Sequence, residues 1–314
     1  MKKILVLFTL LVLQITTSYS QLPESWNAHF SAIHSISFSH DGKYILIGCW
    51  DGVLTIWNAE NGNKVNEIFA HEDAINAAVF SRDNSKIISI SSDYRIKIWD
   101  AATGDVISNA PAHGGNVNSV SINLSADEVI TVGDDKSFRV WQIEPFRMVL
   151  NQVVHASEVY GGAFSPDGQN MVTVGKDQYL KVLGRSRGHV ISNILAHDDE
   201  IRTVKYNHDG RLLVTAGYDK TVKVWDIRTR RERHALQGHI ENIYTVDFMG
   251  NKNIFASGGD DMYIILWNAV SGERITTFET DIPTKALAFS PDGKFLIYGD
   301  NGGNIHVIDT TEFH

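Results

Sequence analysis

Cysteine is almost missing from this chain: Cys49 is the only one in 314 residues. No intramolecular disulfide is possible, and a structural zinc site built on several thiolates is excluded. A surplus of positive charge is missing as well. Lys and Arg number 28 against 37 Asp and Glu, a net charge of −9. That balance argues against nucleic-acid binding, which relies on cationic side chains neutralising phosphates. There is no P-loop, no dinucleotide glycine fingerprint and no CxxC, so nucleotide chemistry has no motif to stand on, and no Gly-x-Ser-x-Gly elbow surrounds Ser89 or Ser257. Asp198-Asp199-Glu200 and Asp260-Asp261 lack the glycine and the ligand spacing of a calcium loop. No cofactor and no metal is expected. Asn123-Leu124-Ser125 is a lone glycosylation sequon and carries little.

Long apolar runs are absent with one exception. Ile4 to Leu13 follows Lys2-Lys3 and precedes the small residues around Ser18-Tyr19-Ser20. Basic start, apolar centre and small-residue end are the three parts of a secretory signal peptide, and the run is short for a membrane span. Residues 1–20 are therefore expected to be a leader cleaved near Gln21. The remainder would be exported, periplasmic or secreted, with no stable membrane span. The alternatives are an uncleaved single anchor and a misread leader on a cytoplasmic scaffold.

What the chain has instead is a period. Histidines stand at His29, His71, His113, His155, His197 and His239, and aspartates at Asp51, Asp93, Asp135, Asp177, Asp219 and Asp261. Tryptophans keep the same 42-residue step at Trp57, Trp99, Trp141, Trp225 and Trp267, with Leu183 where one is missing. An unbroken step over six units means one supersecondary unit copied around an array. Within the second unit, Ile75 to Phe80, Lys86 to Ser91, Arg95 to Asp100 and a weaker run Val106 to Asn109 read as strands, separated by turns rich in Ser, Asp, Asn and Gly. Four short strands per unit make a small antiparallel sheet whose two apolar faces it cannot bury alone. Stacking the copies around an axis covers both.

These features resemble the WD40-repeat β-propellers. The resemblance rests on Gly238-His239, on Trp99-Asp100 and Trp225-Asp226, and on the turns Ser165-Pro166-Asp167-Gly168 and Ser290-Pro291-Asp292-Gly293. It implies an all-β fold, a seven-bladed propeller of four-stranded antiparallel blades spanning residues 21–314, with repeats at about 29–70, 71–112, 113–154, 155–196, 197–238, 239–280 and 281–314. The seventh unit lacks the marks, with Asp281, Gly302 and Ile308 at the relevant places, but keeps Phe289-Ser290-Pro291-Asp292-Gly293. It ends soon after its third strand, so the family's ring closure implies that residues 22–28 supply its fourth. Pro23 suits an outer edge strand.

Four units combine His, Ser or Thr, Asp and Trp: His71/Ser89/Asp93/Trp99, His113/Thr131/Asp135/Trp141, His197/Thr215/Asp219/Trp225 and His239/Ser257/Asp261/Trp267. Ser257, His239 and Asp261 could be taken for a catalytic triad. A catalytic set occurs once, however, and this one recurs in four blades, so it reads as structure. The resemblance implies a buried chain in which indole N–H, hydroxyl, imidazole and carboxylate pair with one another. Unit one departs from it with Ile47 at the hydroxyl position, and unit four with Leu183-Gly184 followed by the basic Arg185-Ser186-Arg187. His208 and His306 read as ordinary surface or strand residues.

Function is then expected on a face of the ring. The resemblance places two sets around the channel's upper mouth: His34, Asn76, Asn118, Tyr160, Arg202, Tyr244 and Lys285, and Trp50, Ser92, Asp134, Lys176, Tyr218, Asp260 and Asn301. These vary from blade to blade, and Tyr, Trp and Arg tend to anchor interfaces. The residues expected to hold a partner are Trp50, Tyr160, Lys176, Arg202, Tyr218, Tyr244 and Lys285. The expected protein is a monomeric, non-catalytic scaffold for a protein or peptide. The rival is a lactonase-like or quinoprotein-like propeller enzyme, which needs one cluster of ligands or charges at the mouth. The sequence offers only scattered His34, Asp134, Glu158, Glu200 and Asp260 for it.

Overall fold

Each repeat folds into four antiparallel strands, and the repeats stack side by side into a ring. This is seen in a computed structural model that describes residues 22–123 and 128–313. The expected leader, residues 1–20, and its cleavage point at Gln21 lie outside the described residues, as do Leu124 and Ser125 of the sequon. The described residues form seven four-stranded sheets, and the order within each of the first six is the order of the chain. In the second blade the strands are Ile75–Phe80, Lys86–Ser91, Arg95–Asp100 and Val106–Pro111. The last is two residues longer than its apolar run predicts, because Ala110 and Pro111 still pair with Ile96 and Arg95. Its weak pattern has a physical reason: Lys86–Ser91 is buried on both faces, whereas Val106–Pro111 is the largely exposed outer edge.

The core lies between the blades rather than within them. Leu212, Val214, Val222, Val224 and Leu236 of the fifth blade pack on Ile243, Val246, Phe255, Ile265 and Trp267 of the sixth. Equivalent clusters fill the other junctions, which is why one copy could not bury its own faces.

The ring closes as the resemblance implied. Ser25–Asn27 pairs antiparallel with Asn304–Asp309, with Trp26 opposite Ile305, and so becomes the fourth strand of the last blade. Gly303 O accepts from both Ala28 N at 2.8 Å and His29 N at 3.0 Å. Gly303 has a φ of +81°, and a Cβ there would lie 1.8 Å from the His29 carbonyl oxygen, so this seam position suits glycine alone.

Two irregularities recur and position the functional face. A register shift interrupts the first two strands of six blades, falling at Ile33/Ser35, Ile75/Ala77, Val117/Ser119, Val159/Gly161, Ile201/Thr203 and Ile243/Thr245. The residue skipped each time is His34, Asn76, Asn118, Tyr160, Arg202 or Tyr244. A bulge residue has no cross-strand partner and is free to aim elsewhere. The second irregularity is a left-handed residue after each turn aspartate: Tyr94, Lys136, Gln178, Lys220 and Met262 all have φ between 62° and 72°. The aspartate holds that turn by accepting from the backbone N–H two residues on, as Asp93 does from Arg95 at 3.0 Å. No helix among the described residues is long and apolar enough to cross a membrane.

Candidate functional site at the channel mouth

The repeated polar set is a fastening. In the sixth blade His239 Nδ1 lies 2.8 Å from Asp261 Oδ2 and Nε2 lies 2.7 Å from Ser257 Oγ, which also accepts Trp267 Nε1–H at 2.8 Å. The same chain joins His71, Asp93, Ser89 and Trp99, then His113, Asp135, Thr131 and Trp141, then His197, Asp219, Thr215 and Trp225, every link at 2.7–2.9 Å. In the fourth blade His155 keeps Asp177 at 2.8 Å and Thr173 at 2.9 Å although Leu183 replaces the tryptophan. The carboxylate also accepts the backbone N–H after the histidine, as Asp261 does from Ile240 at 3.0 Å. Burial alone would push Asp219 and Asp261 up. Hydrogen bonds and the facing imidazole outweigh it and hold them below the ordinary aspartate range. The hydroxyls of Ser89, Thr131, Thr215 and Ser257 are sealed in the core, where no substrate reaches them.

The mouth is built from the bulge residues. A cavity of about 380 Å³ runs along the ring axis, and all seven residues of the first expected set line it: His34, Asn76, Asn118, Tyr160, Arg202, Tyr244 and Lys285. They are not equivalent. Asn76 Nδ2 donates to Val117 O and Asn118 Nδ2 to Val159 O, each at 2.9 Å, so both fasten one blade to the next. They also bind their second-set neighbours, Ser92 at 3.0 Å and Asp134 at 2.8 Å. Blades two and three thus present amide N–H groups that are already engaged.

The other five blades carry a continuous aromatic and cationic arc. The Arg202 guanidinium lies 3.9 Å from the Tyr160 ring centroid and 5.5 Å from that of Tyr218. Tyr218 meets Tyr244 edge-on at 5.8 Å, and Lys285 Nζ stands 4.7 Å over Tyr244. His34 follows, edge-on to Trp50 at 5.1 Å. Burial and the Lys285 charge lower the His34 pKa, keeping it neutral near pH 7. Trp50 is 58 % exposed. Lys176 sits at the other end, 3.3 Å from Glu158 and 3.9 Å from Glu200. All seven residues expected to hold a partner therefore lie along this arc, which runs from the fourth blade through the seventh to the first.

Charge at the mouth is unevenly satisfied. The rim carboxylates are engaged: Glu158 and Glu200 by Lys176, Asp260 by Tyr244 Oη at 2.7 Å, and Asp134 by Asn118. Arg202 and Lys285 have tyrosine faces and no carboxylate partner among the described residues. The cavity lining contains Arg202, Lys205 and Lys285 and no Asp or Glu. Of the scattered acid, base and ligand candidates for an enzyme, only His34 lines it.

Several partners escaped sequence reading. His306 is not an isolated histidine: its Nε2 lies 3.0 Å from Asp300 and its ring stacks on Tyr298 at 4.8 Å. Arg185, first of the basic trio, donates from Nε to Glu128 in the neighbouring blade at 2.9 Å, so that cluster serves blade contact. In the first blade Trp57 Nε1–H turns to Thr55 Oγ1 at 2.9 Å, replacing the hydroxyl lost at Ile47. That swap was foreshadowed by a Thr two residues before the Trp on the same strand face.

A sequence model of a known family, described as WD domain, G-beta repeat, matches residues 20–58, 62–100, 104–142, 148–182, 188–226 and 230–268. No curated protein matches the chain significantly.

Proposed function

The chain belongs to the WD40-repeat family, and from that premise we propose that it is an exported scaffold, without catalysis of its own, binding a protein or peptide at the channel mouth. Propellers of this family are commonly protein-interaction scaffolds. The observation that carries the reading is the arc from Tyr160 to Lys285, where Arg202 and Lys285 rest on tyrosine faces with no carboxylate partner among the described residues. Guanidinium and ammonium groups held this way suit a carboxylate on the partner, and the surrounding Tyr and Trp rings supply rigid apolar area. In a chain of net charge −9, a cavity lined by Arg202, Lys205 and Lys285 without a carboxylate also selects the docking point by steering. The partner's contacting segment is thus an acidic peptide or a free C-terminal carboxylate.

Affinity capture with the wild type and with a Trp50→Ala/Arg202→Ala/Tyr218→Ala variant tests the face. Partners recovered by the wild type are expected to be lost with the variant, and their protected segment is expected to carry Asp, Glu or a terminal carboxylate. Equal recovery rejects the arc. Export rests on the make-up of residues 1–20, and N-terminal sequencing of the mature protein tests it, with Gln21 the expected first residue.

A further inference from the structure

The first blade takes the repeated fastening apart and assembles a different set of donors. His29 finds no hydroxyl, because Ile47 stands at that position and Trp57 has turned to Thr55. Its Nδ1 is buried and makes no hydrogen bond, although Asp51 Oδ2 lies only 3.4 Å away. Two residues beyond Ile47 comes Cys49, where the other units have Ser91, Gly133, Gly175, Gly217 and Gly259. Cys49 is fully buried in the seam between the last blade and the first. Its sulfur, a ring nitrogen of His29 and a carboxylate oxygen of Asp51 all lie within 4.8 Å of one another. No other such trio of His, Cys, Asp or Glu occurs among the described residues.

We propose that His29, Cys49 and Asp51 form a binding site for a zinc-class divalent transition metal at the seam of the ring. Imidazole, thiolate and carboxylate are the ligand types such an ion takes, and a thiolate disfavours calcium or magnesium. Around a tetrahedral zinc the donor atoms stand about 3.3–3.7 Å apart. His29 and Asp51 already have that separation, so the sulfur needs to close in by about an ångström or less. Without metal, burial and the Asp51 and Glu67 carboxylates push the Cys49 thiol up to about 12, so it stays protonated. Metal binding forms the sulfur–metal bond and releases that proton to solvent. The Asp51 side chain is 41 % exposed, leaving a solvent side for water as fourth ligand. His29 lies two residues past the end of the closing strand Ser25–Asn27, while Cys49 and Asp51 belong to the first blade. The metal would therefore tie ring closure to the blade beside it, away from the channel.

Zn²⁺ titrated calorimetrically into the reduced mature chain, with Co²⁺ absorption as a second probe, tests this. One site is expected, with a thiolate-to-cobalt band in the near ultraviolet and a melting temperature raised by zinc. Cys49→Gly and Cys49→Ser carry residues that other blades use at this position, so the fold tolerates them. Both are expected to lose the cobalt band, and to weaken zinc binding at least about tenfold, as is His29→Gln. Absence of zinc uptake, or equal uptake by the wild type and Cys49→Gly, overturns the site.

Discussion

The sixth blade and the first start from the same repeat and secure themselves differently. In the sixth, His239 and Asp261 are wholly sealed, with side chains 0 % exposed, and each polar atom of the chain from Trp267 to Asp261 has its partner. In the first, His29 is unfastened, Trp57 has a substitute partner, and stability comes from the neighbouring seam, where the closing strand and Trp26 pack against it. Polar fastening matters where a blade must fix its own connection. Where the chain ends meet, strand pairing does that work and the fastening is free to change.

The comparison breaks most readily at the seam. Removing residues 21–28 from the mature chain deletes the fourth strand of the last blade and exposes the edge of Asn304–Asp309. The melting temperature is expected to fall by more than for any single substitution, and an unchanged melting curve would sink strand closure. Next in size is Asp261→Ala, which strands a buried imidazole and is expected to cost roughly 1–3 kcal/mol in denaturant unfolding. Asp51→Ala in metal-free protein should cost clearly less, because Asp51 makes no hydrogen bond to His29. Equal losses would erase the distinction between the blades.

Acid sharpens the same contrast. The fastening aspartates, Asp93, Asp135, Asp177, Asp219 and Asp261, are all held below the ordinary aspartate range by their hydrogen bonds and the facing imidazole. A depressed folded-state pKa contributes stability that is present above the unfolded value and lost as pH falls through the folded one. Thermal stability is therefore expected to drop as pH falls below about 4, and Asp261→Asn should flatten part of that slope. The smallest effect on stability is expected at the mouth. Arg202→Ala/Lys285→Ala should change unfolding free energy by no more than about 0.5 kcal/mol per site while abolishing partner recovery.

Much of this was legible in sequence. His239, Ser257, Asp261 and Trp267 stood out because their spacing repeats, and repetition marks structure rather than a site. The mouth set stood out because it varies at fixed places, though variation alone could not separate Asn76 and Asn118, which hydrogen-bond the main chain of the next blade, from Tyr160 and Arg202, which stack on each other. His306 looked solitary because its partner Asp300 and its stacking partner Tyr298 lie on no repeat position. Cys49 carries no signal of a site in sequence, because the two residues beside it in space, His29 and Asp51, are themselves repeat positions.

The sequence by itself determined the blade. Its 42-residue step, its alternating strands and its turn residues are local, and each copy states them again. Only the tertiary structure decided which side chains meet across blades. Arg202 lies between tyrosines of its own and the preceding blade, Lys285 lies over a tyrosine of the blade before it, and His29 joins Cys49 through ring closure. The physical reason is that periodicity fixes where a residue sits within its sheet. Bulges at the first strand and the closing of the ring then fix what it faces.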